Sequence, residues 1–91
     1  LWTMQAKTTT YSAAVGEFVV ATTGSSWTLT LPTAVGNGGK MVGVIKESSD
    51  ANTLTVASAG GNINDAATQS IISQYDSMVF VSDGTDWWII A

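Results

Sequence analysis

The carboxylates Asp83 and Asp86 stand three positions apart in the sequence, close enough for two acids to share one site. Glycoside hydrolysis requires two carboxyl groups about 5–9 Å apart, and Ca²⁺ also prefers oxygen ligands of this kind. An Asp before Gly84 is nevertheless ordinary turn chemistry, and the spaced acids of an EF-hand loop with its closing Glu are absent. We therefore interpret the pair as turn residues and predict no catalytic residue and no metal site.

The residue types that are absent exclude other chemistry. The chain has no His, Cys or Arg, which excludes Ser–His and Cys–His catalysis and any Cys-based zinc site. Three Lys and seven acids give a net charge of −4 at pH 7, which would repel a phosphate backbone. No apolar run approaches the ~18–20 residues of a membrane span. We predict no cofactor, no nucleic-acid partner and no membrane insertion.

Aromatic side chains are the remaining candidates for ligand binding. A Trp ring can stack on the C–H face of a sugar while neighbouring Ser, Thr, Asn and Asp side chains bond its hydroxyls. We expect Trp27, which lies on a one-sided amphipathic strand, in the core. Of Trp87 and Trp88, we expect one in the core and the other at an interface or surface. The candidate glycan-binding residues are Trp88, Trp87, Tyr75 and Asp86.

Gly and small polar residues punctuate the chain at short intervals, and no helical period lies between them. The predicted strands are residues 17–22, 27–31, 41–47, 53–57, 78–82 and 87–90, with 66–72 left open between strand and helical turn. The sequence Asp83-Gly84-Thr85-Asp86 is a hairpin signal between the last two strands.

These elements predict an all-β fold, a small antiparallel β-sandwich or barrel of about 6–8 short strands. Residues 1–10 are interpreted as an N-terminal lead-in from a longer parent chain, and residues 11–91 as a single all-β domain.

Several of these strands are apolar on both faces. Side chains alternate along a strand, so the odd and even positions of 78–81 and of 87–90 point to opposite sides, and both sets are apolar. A chain of 91 residues has one core, and the second apolar face needs another cover. Contact with other copies is the simplest cover, and the chain's own loops are the alternative. We name Phe80, Met78 and Ile90 as candidate interface residues of a homotrimer.

The ordered motifs of the chain resemble a module of bacteriophage tail fibres and tailspikes, commonly found toward their C-terminal ends. The matching stretches are Tyr11-Ser12, Gly16-Glu17-Phe18-Val19-Val20, Leu29-Thr30-Leu31-Pro32, Gly38-Gly39-Lys40, Val44-Ile45-Lys46, Thr53-Leu54-Thr55-Val56, Gly61-Asn62-Ile63-Asn64 and residues 81–90. The resemblance implies a β-structured homotrimer in the virion tail. In such tailspikes the glycan-cleaving site usually belongs to a separate parallel β-helix region, which we do not expect here.

The resemblance leaves two main function classes. The first is a receptor-binding domain that contacts bacterial surface polysaccharide or lipopolysaccharide. The second is a trimerisation clamp that registers three chains without binding a ligand. A polysaccharide-degrading site shared between subunits is a third, weaker alternative. We expect a non-enzymatic domain that combines the first two roles, in a parent protein that can itself be a polysaccharide depolymerase.

Overall fold

A computed structural model describes all of residues 1–91 and shows nine β-strands and no helix. The strands are β1 Thr3–Lys7, β2 Tyr11–Ser12, β3 Glu17–Ala21, β4 Trp27–Leu31, β5 Met41–Lys46, β6 Leu54–Ser58, β7 Thr68–Ile71, β8 Ser77–Ser82 and β9 Trp87–Ile89. The predicted all-β class is confirmed. The chain contains no helix that is long and apolar enough to cross a membrane.

The nine strands form two mixed sheets. The five-stranded sheet has the order β1-β3-β5-β8-β9, and the four-stranded sheet has the order β2-β4-β6-β7. From β1 to β6 the chain alternates between the sheets, so each strand lies parallel to the strand two elements before it. Antiparallel pairing begins only at β7, β8 and β9. The first six strands therefore pair in parallel, and the last three pair antiparallel with their neighbours.

This topology corrects the expected antiparallel sandwich of about 6–8 strands, because the nine strands form mixed sheets. The Gly-rich turn 35–39 does not close a hairpin, because it leads from β4 in one sheet to β5 in the other. Parallel neighbours require a crossover connection, and here a strand of the opposite sheet provides it. Parallel strand pairing, which the expected antiparallel sandwich does not include, is thus part of this fold. The predicted Asp-Gly hairpin is confirmed, since β8 and β9 pair antiparallel across residues 83–86.

Most predicted strands agree with the structure to within one or two residues at each end. The open segment 66–72 contains strand β7, Thr68–Ile71, which lies antiparallel to β6. Within residues 1–10, β1 pairs along its whole length with β3 and forms an edge of the five-stranded sheet. The proposed division of the chain at residue 10 stays a prediction, but the first strand of the sheet lies before it.

The core lies between the two sheets and consists of alternate positions of their strands. In β4 the side chains of Trp27, Leu29 and Leu31 are buried, while the two intervening Thr are half-buried on the outside. The core placement predicted for Trp27 is confirmed. Fifteen apolar residues form one cluster: Ala13, Val19, Ala21, Trp27, Leu29, Leu31, Ala34, Val42, Val44, Leu54, Val56, Ile63, Ile71, Phe80 and Trp87. A core of this size occupies only the inner face of each sheet.

Candidate functional site

The outer face of the five-stranded sheet is almost entirely apolar. Strand register places Met4 beside Phe18, Phe18 beside Gly43, and Gly43 beside Val79, all on the side opposite the core. We call this surface the apolar face, and its residues are Trp2, Met4, Ala6, Phe18, Val20, Met41, Gly43, Ile45, Val79, Val81 and Trp88. Ser77 is the one polar side chain at an outward position of these strands, and none is charged.

Aromatic contacts order one corner of the apolar face. The rings of Trp2 and Phe18 meet edge to face, with centroids 5.5 Å apart and planes at 79°. Phe18 in turn covers Gly43, which is buried although it lies on the outside of the sheet. Beyond this contact, Met4 is 60% exposed and Met41 is 40% exposed. Large apolar side chains that are exposed together on one face are typical of an interaction surface.

The outer face of the four-stranded sheet has the opposite character. Its outward positions are Ser12, Thr28, Thr30, Thr55, Ala57, Thr68 and Ser70, which we call the hydroxyl face. Every member except Ala57 carries a hydroxyl that water can hydrogen-bond. Cross-strand Thr pairs such as Thr28 and Thr55 also stabilise a sheet without an apolar cover. The domain is therefore two-sided, and only the apolar face lacks groups that favour water.

Register decides which residues of β8 and β9 reach the apolar face. Phe80 pairs with Val42 and Ile89 and is fully buried in the core, and half-buried Met78 packs against the same core. Val79 and Val81 are therefore the outward residues of β8, rather than the candidate interface residues Phe80 and Met78. Ile90, the third candidate, follows the end of β9 and is 55% exposed.

The four candidate glycan-binding residues are distributed over different environments. Trp87 is fully buried, and its Nε1 donates to the carbonyl oxygen of Pro32 at 2.9 Å, so its ring faces the core. Trp88 lies on the apolar face and is half-buried. Tyr75 is 67% exposed, but β8 separates it from Asp86, and the structure does not bring the two together.

Asp83 and Asp86 are both engaged in local hydrogen bonds. Asp83 Oδ1 accepts from the backbone N–H of Thr85 and Asp86 at 2.8 and 2.9 Å, and its Oδ2 accepts from Trp88 Nε1 at 2.8 Å. The bond from the Asp86 backbone, with those from Trp88 and Thr85, lowers the pKa of Asp83 below its usual value. Asp86 Oδ1 accepts from the backbone N–H of Asn62 at 2.8 Å. Both carboxylates thus hold the turn and its contacts together, as the turn interpretation expects.

A second polar cluster closes the edge between the sheets at β1 and β2. Glu17 accepts from Tyr11 Oη at 2.8 Å, Gln5 Nε2 at 3.1 Å and the Ala14 backbone N–H at 2.8 Å. Burial raises the pKa of Glu17, but these hydrogen bonds together outweigh it and lower the pKa overall. The bond to Glu17 raises the pKa of Tyr11, whose ring also lies 4.2 Å beneath Lys7 Nζ. Every polar group here has a partner within the chain.

Lys46 is a buried cation at the end of β5. Its Nζ donates to the carbonyl oxygens of Ser48 and Asp50 at 2.9 and 2.8 Å, and it lies 3.2 Å from Asp50 Oδ1. The Ser48 hydroxyl and a 2.7 Å hydrogen bond from Thr23 hold the pKa of Asp50 well below its usual range. This network binds the 47–53 connection to the end of the sheet. The structure shows no group of three or more His, Cys, Asp or Glu placed to hold a metal ion.

One open cavity of about 420 Å³ lies at the corner of the apolar face where β1, β3 and β5 begin. Its lining residues are Leu1, Trp2, Val15, Gly16, Lys40 and Met41. Sequence reasoning missed this site because residues 1–10 were interpreted as a lead-in and Lys40 was named only within the motif Gly38-Gly39-Lys40. A signal was present, however, since Lys40 is one of only three cationic side chains in the chain.

Comparison with known proteins does not assign the chain to a family. No protein-family model matches it, and no curated protein matches it either. The features that bear on function are therefore the two-sided surface and the chemistry of the cavity.

Proposed function

We propose that this chain is a non-enzymatic structural and receptor-binding domain of a phage tail fibre or tailspike. In this proposal it assembles as a homotrimer through the apolar face, leaving the corner at Trp2 uncovered, and contacts polysaccharide or lipopolysaccharide on the bacterial surface, as part of the virion tail. The observation that carries the proposal is the uncharged apolar face outside the core. The motif resemblance supports the trimeric state and the tail location.

A second copy of the chain suits the apolar face better than a lipid surface does. Each buried Å² of apolar surface contributes roughly 25 cal/mol, so strands that are apolar on both sides gain most when another chain covers them. Anionic membranes attract clusters of Lys and Arg, whereas this chain has net charge −4 and no Arg. Copies of an acidic chain repel one another least where they meet through a face that has no charge.

The hydrogen bonding of the carboxylates supports a non-enzymatic role. A general acid for glycoside cleavage needs a raised pKa, whereas the pKa of Glu17, Asp50 and Asp83 is lowered. Each of the three is already engaged by donors of its own chain. In this proposal, polysaccharide cleavage by the parent protein belongs to another region of that parent.

Molar mass in solution tests the assembly. Light scattering on a sizing column should give about three times the chain mass of 9.4 kDa. Val79→Asp places a charge at the centre of the apolar face and should convert the trimer to monomer. Thr55→Asp is the matched control, because Thr55 is also half-buried on a strand within its sheet but faces outward from the hydroxyl face.

Circular dichroism would establish that both variants retain the β-sheet fold. A wild-type chain that elutes as a monomer at all concentrations would overturn the assembly proposal. Equal assembly of wild type and Val79→Asp would show that copies meet through some other surface.

A further inference from the structure

We propose that the corner cavity binds a carboxylate-bearing sugar unit, such as a uronic acid, between the Trp2 indole and the Lys40 ammonium. The inference rests on the glycan contact proposed above and deepens it, since it names both the class of sugar and the residues that select it. The observation behind it is the position of the one unengaged lysine at the one cavity of the chain.

The cavity has the dimensions and composition of a small-molecule site. Its volume of about 420 Å³ lies within the range of roughly 300–1,000 Å³ that such sites occupy. Four of its six lining residues are hydrophobic, and Lys40 is the single charged side chain. A mostly apolar wall with one charged group is typical of a site in which shape gives affinity and the charge gives selectivity.

Trp2 provides the stacking surface. Its indole is 42% exposed, and the edge-to-face contact with Phe18 at 5.5 Å holds it against the sheet. An indole that is held in place loses little conformational freedom when a ligand binds. The C–H face of a pyranose ring can therefore pack on Trp2 within the cavity.

Lys40 is the only cationic side chain that is not already engaged. Lys46 is buried and donates to carbonyl oxygens of the loop that follows it, and Lys7 lies over the Tyr11 ring beside Glu17. Lys40, by contrast, is exposed, forms no side-chain hydrogen bond, and makes no ion pair. In a chain of net charge −4, an unpaired ammonium at a cavity favours an anionic ligand.

The backbone around Lys40 fixes where its side chain starts. The Lys40 N–H donates to the Asn37 carbonyl at 3.0 Å, and the Lys40 carbonyl accepts from Ser82 N–H at 3.0 Å. Gly39, with φ +81°, makes the turn that leads into this position. A flexible ammonium at this position can pair with an anionic group of the ligand as a point charge. The ammonium therefore selects for an acidic sugar unit, and uronic acids are the carboxylate-bearing class of such units.

Calorimetric titration of the full chain with two matched probes tests the inference. The probes are an oligogalacturonate and the same oligosaccharide with its carboxylates methyl-esterified, so they share one sugar backbone and the ester lacks the negative charges. We expect the acidic probe to bind at least tenfold more tightly than the ester. Lys40→Gln should abolish this difference, and Trp2→Leu should weaken binding of both probes. Lys7→Gln is the matched control and should keep the wild-type preference.

A Lys40→Gln variant that keeps the wild-type preference would overturn the assignment. Failure of the wild-type chain to bind either probe would also overturn it, while the molar mass would still report on assembly. Conversely, acidic-probe selectivity that depends on Lys40 in a monomeric chain would support the site and contradict only the trimer.

Discussion

The ring of Phe18 lies over Gly43 of the neighbouring strand, so closely that a Cβ atom at Gly43 would clash with two ring carbons. Because Gly43 has no side chain, the aromatic ring can lie directly against the sheet at this position of the apolar face. The same ring supports Trp2 at the cavity. One glycine thus connects the shape of the proposed interface with the proposed sugar site.

Gly43→Ala should destabilise the fold by about 1–3 kcal/mol, because the added methyl group displaces the Phe18 ring. Chemical denaturation at fixed chain concentration would measure the change. Gly24→Ala is the control, since a Cβ there meets nothing within 4 Å, and it should change stability by less than about 0.5 kcal/mol. Adding Phe18→Leu to Gly43→Ala should recover part of the loss. Equal stability of the two alanine variants would contradict this explanation.

Trp87→Phe should cost about 2–4 kcal/mol, because it leaves a cavity in the core and removes the donor to the Pro32 carbonyl. The adjacent Trp88 offers a matched comparison, since its ring is half-buried on the outer side of the same strand. Trp88→Phe should cost less than about 1 kcal/mol in the folding of one chain. Urea denaturation followed by circular dichroism would compare them, and a larger cost at Trp88 would contradict the assigned sides of β9.

Lys46→Met should destabilise the chain by about 3 kcal/mol, because two carbonyl oxygens lose their ammonium donor and the Asp50 carboxylate loses its ion pair. Met has a similar length, so the substitution removes the charge more than the packing. Lys40→Met is the control and should change stability by less than about 0.5 kcal/mol. Hydrogen exchange should also show faster opening of residues 47–53 in Lys46→Met. Unchanged exchange there would contradict the role given to the ammonium.

Acid should remove the contribution of Asp50. Its pKa is lower in the folded chain than its ordinary value of 3.8, so folding favours the ionised carboxylate. The resulting stability is complete above about pH 5 and declines as the pH falls through about 4 toward the folded pKa. Asp50→Asn should therefore be less stable than wild type at pH 7, and the difference should shrink below pH 4. Denaturation curves at several pH values would measure it, and a difference independent of pH would contradict the prediction.

Local patterns in the sequence predicted the features that depend on neighbouring residues. The Asp83–Asp86 turn, the one-sided strand at Trp27 and most strand positions follow from alternation and from turn residues within a few positions. The two apolar sets of β8 and β9 were also visible. The sequence could not show whether Phe80 or Val79 faces the core, because a period of two defines two sides without saying which one a second sheet covers.

The tertiary structure alone decided how the strands are arranged. Short turns between strands suggested an antiparallel fold. Most of these turns instead lead from one sheet to the other, so β1, β3 and β5 are parallel neighbours. Strand pairing depends on contacts between residues far apart in the sequence, which local patterns do not record. The same holds for the cavity, where Trp2 and Lys40 meet across 38 positions of sequence. Residue types limited this chain to sheet, and only the packing of distant strands determined which faces are exposed.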